Sequence, residues 1–266
     1  MLCVNPGFRA STDGDFRCSP GRGADPGRGT VVAMTDSKPR RVALAAALFT
    51  APWGLLVANT SYALMTRDGG DDETGAHAIA LATAHPHLAR TAVLGAAVGA
   101  LLMVPAALGA MRLAEGRAPK LAYAGGVLMA AGYICYFAVA LGTMTTIAMA
   151  DRGGPLADYA AVLDATQNDP STAWVFLLFV VGNLIGTLLL GLALLRSRAV
   201  PAWAAVAVML WPPLHVTGLV VGSEWFEVTG AVLQGIGLAA CGVRLLAGPP
   251  AVPAPGEATR VAVPAG

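Results

Sequence analysis

Charge is scarce in this chain: Asp, Glu, Lys and Arg make up 12% of 266 residues, and only Lys38 and Lys120 are lysine. A soluble domain carries about 25% charged residues, so this sequence cannot clothe a water-facing surface of ordinary composition. The formal net charge is +1, with no basic patch, which argues against nucleic acid as a partner. Cysteine is equally thin. Cys3 and Cys18 lie in a polar leader, Cys135 and Cys241 lie within apolar stretches, and no Cys-x-x-Cys occurs. The latter two differ in depth by about 12 Å at helical rise, too far for a disulfide. Also missing are a Gly-rich nucleotide loop, a nucleophile elbow, a His-Glu-x-x-His and a paired-aspartate motif. Haem held between two spans needs two axial ligands there, and only His215 qualifies. No cofactor is expected.

What the chain has in abundance is apolar sequence: 56% hydrophobic residues and a mean hydropathy of +0.63. It gathers into six runs, at residues 42–64, 91–111, 121–148, 173–195, 200–221 and 226–246. A helix of about 20 residues crosses the hydrocarbon core, where only helices and closed barrels satisfy their backbone groups. The expected fold is all-α: a polytopic membrane protein with a six-transmembrane-helix bundle and short extracytoplasmic surface helices. Residues 38–248 form the single transmembrane domain. Residues 1–37, rich in Gly, Pro, Arg and Asp without period, read as a disordered N-terminal extension, and residues 249–266 as a disordered cytoplasmic tail. The Met-Thr-Asp-Ser-Lys-Pro-Arg-Arg that begins at Met34 also suits a translation start.

Arginine and lysine set the orientation. Lys38, Arg40, Arg41, Arg112, Arg117, Lys120, Arg196, Arg198 and Arg244 all fall on one side of the six spans. The other side carries most of the carboxylates, among them Asp71, Asp72, Asp151, Asp164, Asp169, Glu224 and Glu227. By the positive-inside rule both termini are cytoplasmic. Leu156, Tyr159 and Leu163 recur at helical spacing in one acidic loop, and Ile79 with Leu81 does so more weakly in another, which predicts surface helices. His85-Pro86 and Asp169-Pro170 each open a span that ends on an arginine, Arg112 or Arg196, at equal intervals. That spacing predicts a repeated hairpin, spans two and three matching spans four and five.

Polar residues inside the spans are the candidate site. In span six, Glu227, Gly230, Gln234, Gly237, Cys241 and Arg244 follow at steps of three and four and share one helical face,. Gly95-x-x-x-Gly99 and Gly182-x-x-x-Gly186 are small-residue contact motifs. Pro212-Pro213 precedes His215. By depth, Asn59, Asn183, His215, Glu227 and Gln234 fall in the outer half or middle of the bilayer, so they outline an outward-facing polar pocket. The bland counterpart is that Glu227 suits a first helical turn and that amides hold helices together. His77, His85 and His87 near Asp71, Asp72 and Glu73 form a weaker outer-loop metal candidate.

The Ala-Thr-Ala-His-Pro at 82–86 and the Leu-Ala-Leu-Leu-Arg-Ser-Arg-Ala-Val-Pro-Ala-Trp-Ala-Ala-Val at 192–206 resemble uncharacterised small six-span membrane proteins of actinobacterial type. That resemblance implies a helical fold in a bacterial plasma membrane and transfers no site residue. The expected function is to bind or help move a small amphipathic or lipid-like molecule. Two other classes stand beside it: a membrane-embedded enzyme on a prenyl or lipid substrate, and an accessory subunit of a membrane complex. Partners are the lipid bilayer, such a lipid-like molecule, and a second copy or another membrane protein.

Overall fold

The computed structural model describes residues 38–248, so the expectations for the leader, the Met34 start and the tail lie outside the described residues. Eight helices fill the described chain: α1 Lys38–Thr66, α2 Gly75–Ala84, α3 Pro86–Ala114, α4 Pro119–Arg152, α5 Leu156–Asn168, α6 Pro170–Ser197, α7 Ala202–Val221 and α8 Trp225–Ala247. No strand occurs among the described residues. Six of the helices are long and apolar enough to cross a bilayer. The protein is an all-helical, multi-pass membrane bundle, and α2 and α5 are the two short surface helices.

Local chemistry fixes where the helices start. Pro86, Pro119 and Pro170 occupy the first turn of α3, α4 and α6, where a missing N–H costs nothing. The Asp169 carboxylate accepts from Ser171 N at 2.7 Å and caps α6; the Ser171 hydroxyl, then this backbone N–H, holds the Asp169 carboxyl below its ordinary range. Thr74 caps α2 by accepting from His77 N at 3.2 Å. Gly222, at φ 70°, supplies the left-handed residue that turns α7 into α8, a conformation costly for any side chain with a Cβ.

Lipid gives no hydrophobic drive to join helices, so close backbone approach must do the work. Glycine provides it along two seams. A Cβ on Gly54 of α1 would stand 2.8 Å from Gly99 Cα of α3, and one on Gly95 would stand 2.7 Å from Gly54 O. On the second seam, a Cβ on Gly182 of α6 would lie 2.6 Å from Gly132 Cα of α4, and one on Gly186 would lie 2.5 Å from Met129 N. α1 with α3 and α4 with α6 are the most extensive helix pairs. The seams are thus backbone against backbone, running antiparallel.

The spacing of Pro86 and Pro170 predicts a repeated hairpin, α3-α4 matching α6-α7, and both hairpins are packed pairs. The order long helix, short helix, long helix also occurs twice, as α1-α2-α3 and α4-α5-α6, and α3 and α6 each pack most extensively on the preceding long helix, α1 or α4. Matched intervals mark α3 and α6 in either register, so spacing alone does not choose the partner. α7 and α8 complete the bundle, with Gly230 against Trp211 and Gly237 against Ala204 and Val208.

Both short helices lie at one end and touch each other. Gly75 N donates to Asp164 Oδ1 at 2.7 Å, and Gly75 sits against Ala160. This end carries most of the carboxylates and is called the acidic end below. At the opposite end Arg117 Nη1 donates to Ser197 O at 3.1 Å and Arg244 Nε to Ala199 O at 3.2 Å, tying down the chain between α6 and α7.

Candidate functional site

α8 brings the site together because its polar stripe faces the bundle. Gly230, Gln234, Gly237 and Cys241 are buried, while Arg244 is exposed at the basic end. Gln234, on the same face as Glu227 but two turns deeper, is only 1% exposed. α7 antiparallel to α8 places His215 opposite Glu227. Nδ1 of His215 stands 3.1 Å from Glu227 Oε1, and each side chain is 20% exposed. The two are close enough for an ion pair when the ring is protonated, but they are misaligned for a hydrogen bond, so Nδ1 has no hydrogen-bond partner. The Trp211 indole stacks on the imidazole at 5.1 Å between centroids and 14° between planes, which fixes the ring.

Acidic groups crowd the mouth of this pair. Glu224, the cap of α8, is close to Glu227, His215 and Asp72. Burial, then the neighbouring Glu227 carboxyl, pushes the Glu224 carboxyl up to about 7. Tyr62 of α1 donates its hydroxyl to Asp72 Oδ1 at 2.7 Å and lies within the field of Glu224 and Glu227. Two carboxyl groups, Glu224 and Glu227, therefore face one imidazole, with Asp72 beside Glu224.

Beneath the mouth lies a second polar group. Tyr133 of α4 is fully buried, Asn183 of α6 is 4% exposed and Thr187, one turn further along α6, is fully buried. The Tyr133 hydroxyl stands beside the Gln234 and Asn183 amides and within the field of Glu227, with no aligned hydrogen bond to any of them. Tyr133 Oη, Asn183 Oδ1, Thr187 Oγ1, His215 Nδ1 and Gln234 Nε2 are all buried without a hydrogen-bond partner within the described chain. Aromatic rings wall the α4/α6 side: Tyr136 stacks on Phe179 at 4.7 Å and meets Tyr133 edge-on at 6.4 Å.

Four of the five residues expected to outline the pocket thus form one connected set, His215 with Glu227 above and Gln234 with Asn183 below. Asn59 is half-buried on α1 and no hydrogen bond joins it to the others among the described residues. The amides are sealed under protein rather than lining an open mouth; for Asn183 the glycine seam of α4 and α6 does this, with Gly132 set against the Asn183 backbone. Tyr133, Tyr62, Thr187 and Glu224 complete the set and were absent from the sequence-derived one. A tyrosine near mid-span was the available signal, since tyrosines in spans ordinarily sit at the interfaces.

The histidines of the first acidic loop do not gather. His77 Nδ1 approaches Asp71 Oδ1 at 2.6 Å on an exposed surface; that bond holds the Asp71 carboxyl below its ordinary range. His77 and His85 border a shallow groove with Asp68 and Asp71, and His87 does not. No group of three His, Cys, Asp or Glu suited to a metal ion exists among the described residues. Cys135 and Cys241 are free thiols.

No protein-family model, curated protein or solved structure matches this chain.

Proposed function

We propose that this membrane protein binds, and helps move, a small amphipathic molecule whose polar head is received among α4, α6, α7 and α8 from the acidic end. The carrying observation is the set of five buried polar atoms without partners. A buried polar atom left wholly without a partner costs about 1–3 kcal/mol. A head group that donates and accepts hydrogen bonds would recover much of that cost. The aromatic wall of Tyr136 and Phe179, and the surrounding aliphatic spans, suit an apolar tail.

His215 and Glu227 hold charge or a proton at the mouth; Gln234, Asn183 and the Tyr133 hydroxyl orient the head below. In the same reading the acidic end faces outward from a bacterial plasma membrane and both termini are cytoplasmic, supported by the arginines gathered at the other end. Native mass spectrometry of the protein released from its own membrane tests the binding. A bound small molecule is expected on the wild-type chain and not on Gln234→Leu or His215→Ala. A wild-type spectrum without adducts, or adducts that survive both changes, overturns the reading.

A further inference from the structure

The charge at the mouth says more about the guest than hydrogen bonding does. Glu224 and Glu227 face the single imidazole of His215, and Asp72 faces Glu224, so carboxyl groups outnumber cations in this cluster. Two arginines of the acidic end pair with other carboxylates: Arg67 with Asp68 at 3.2 Å and Arg90 with Asp151 at 2.6 Å. Carboxylates this close repel one another and hold protons that a competing cation would displace. Directly beneath, Tyr133 and Gln234 are more than nine-tenths buried with unpartnered polar atoms, and the Tyr133 hydroxyl lies within the field of Glu227.

Resting on the reading above, we infer that the guest is a lipophilic organic cation, an amine or onium ion, which displaces a proton from the Glu224/Glu227 pair. The balance is simple: the protonated pair plus the cation gives the cation-bound carboxylates plus a proton released to water. The groups facing Glu227 are His215 from α7, Tyr62 from α1, Tyr133 and Tyr136 from α4, and Glu224 at the head of its own helix; Asp72 faces Glu224.

The test uses the full chain in lipid nanodiscs, with protein-free nanodiscs as baseline, and three probes of similar size: tetraphenylphosphonium, tetraphenylborate and triphenylphosphine oxide. Saturable binding is expected for the phosphonium alone. With the Glu224 carboxyl at about 7, binding should be about 30-fold weaker near pH 5.5 than near pH 8.5. Because the Glu224 carboxyl is about half protonated near pH 7, roughly half a proton should appear in a weakly buffered medium for each cation bound there, rising toward one at lower pH. Glu227→Gln should weaken binding at least about tenfold, and Glu224→Gln, outside the spans, should flatten the pH profile where the first variant fails to fold. Equal binding of borate or oxide, a flat wild-type profile, or no saturable phosphonium binding overturns the inference. Oxide binding that Gln234→Leu abolishes would overturn only the choice of a cation and leave the polar site standing.

Discussion

Alanine at Gly182 measures how much the α4/α6 seam depends on bare backbone. The new Cβ would lie 2.6 Å from both Gly132 Cα and Leu128 O, where ordinary contacts begin near 3.4 Å. Neither neighbour is a side chain that can rotate away, so the two helices must part by roughly 1 Å, and overpacking of that kind costs about 1–3 kcal/mol. Helix propensity pulls the other way, since alanine is better than glycine by about 1 kcal/mol. Gly142 supplies the control: it lies inside α4, and a Cβ there meets nothing within 4 Å. The propensity gain is common to both sites and cancels, so Gly182→Ala should be less stable than Gly142→Ala by about 1–3 kcal/mol. Reversible unfolding in mixed micelles by added dodecyl sulfate, followed by tryptophan fluorescence, reads that difference. Gly132→Ala, whose Cβ would lie 2.8 Å from Asn183 N, parts the same helices, so the double variant should cost less than the two single costs added. Equal midpoints for Gly182→Ala and Gly142→Ala would refute the close-approach argument.

Three further outcomes follow from the same coordinates. Glu224 titrates higher in the folded chain than its ordinary 4.5, so its contribution is present in acid and lost as pH rises through about 7; wild-type melting temperature should fall over that window, and Glu224→Gln should reduce the slope. Thr187→Val removes a fully buried hydroxyl with no partner at nearly constant shape, and should leave stability unchanged or raise it by about 1 kcal/mol in the micelle titration. Asp164→Ala deletes the acceptor of Gly75 N, so amide hydrogen exchange should quicken at the start of α2 while the long helices keep their protection.

The six spans were legible because lipid imposes a length and a composition on each segment, and each predicted run falls within a long helix, apart from Val200 and Pro201 just ahead of α7. The inward face of α8 was legible too, since small and polar residues recurring at three and four steps have few other uses in a membrane. Sequence gave depth for Asn183, Gln234 and His215 without giving neighbours. That Tyr133 stands between the two amides depends on the rotation of three helices about their axes, which their own periodicity does not determine. α5 shows the opposite limit: its apolar residues repeat correctly, yet Ala160 alone is buried, because protein covers little of the face that its periodicity defines.

The two glycine seams also decide where this molecule can breathe. With main chain pressed on main chain, α1/α3 and α4/α6 have no rotamer to yield and each travels as a stiff plank. Between α6 and α7 the contact is of another kind, the Met209 thioether lying over Gly191, and methionine swivels at small expense. Of these contacts, the one between α6 and α7 can therefore yield by rotation of a side chain, Met209, without parting two main chains.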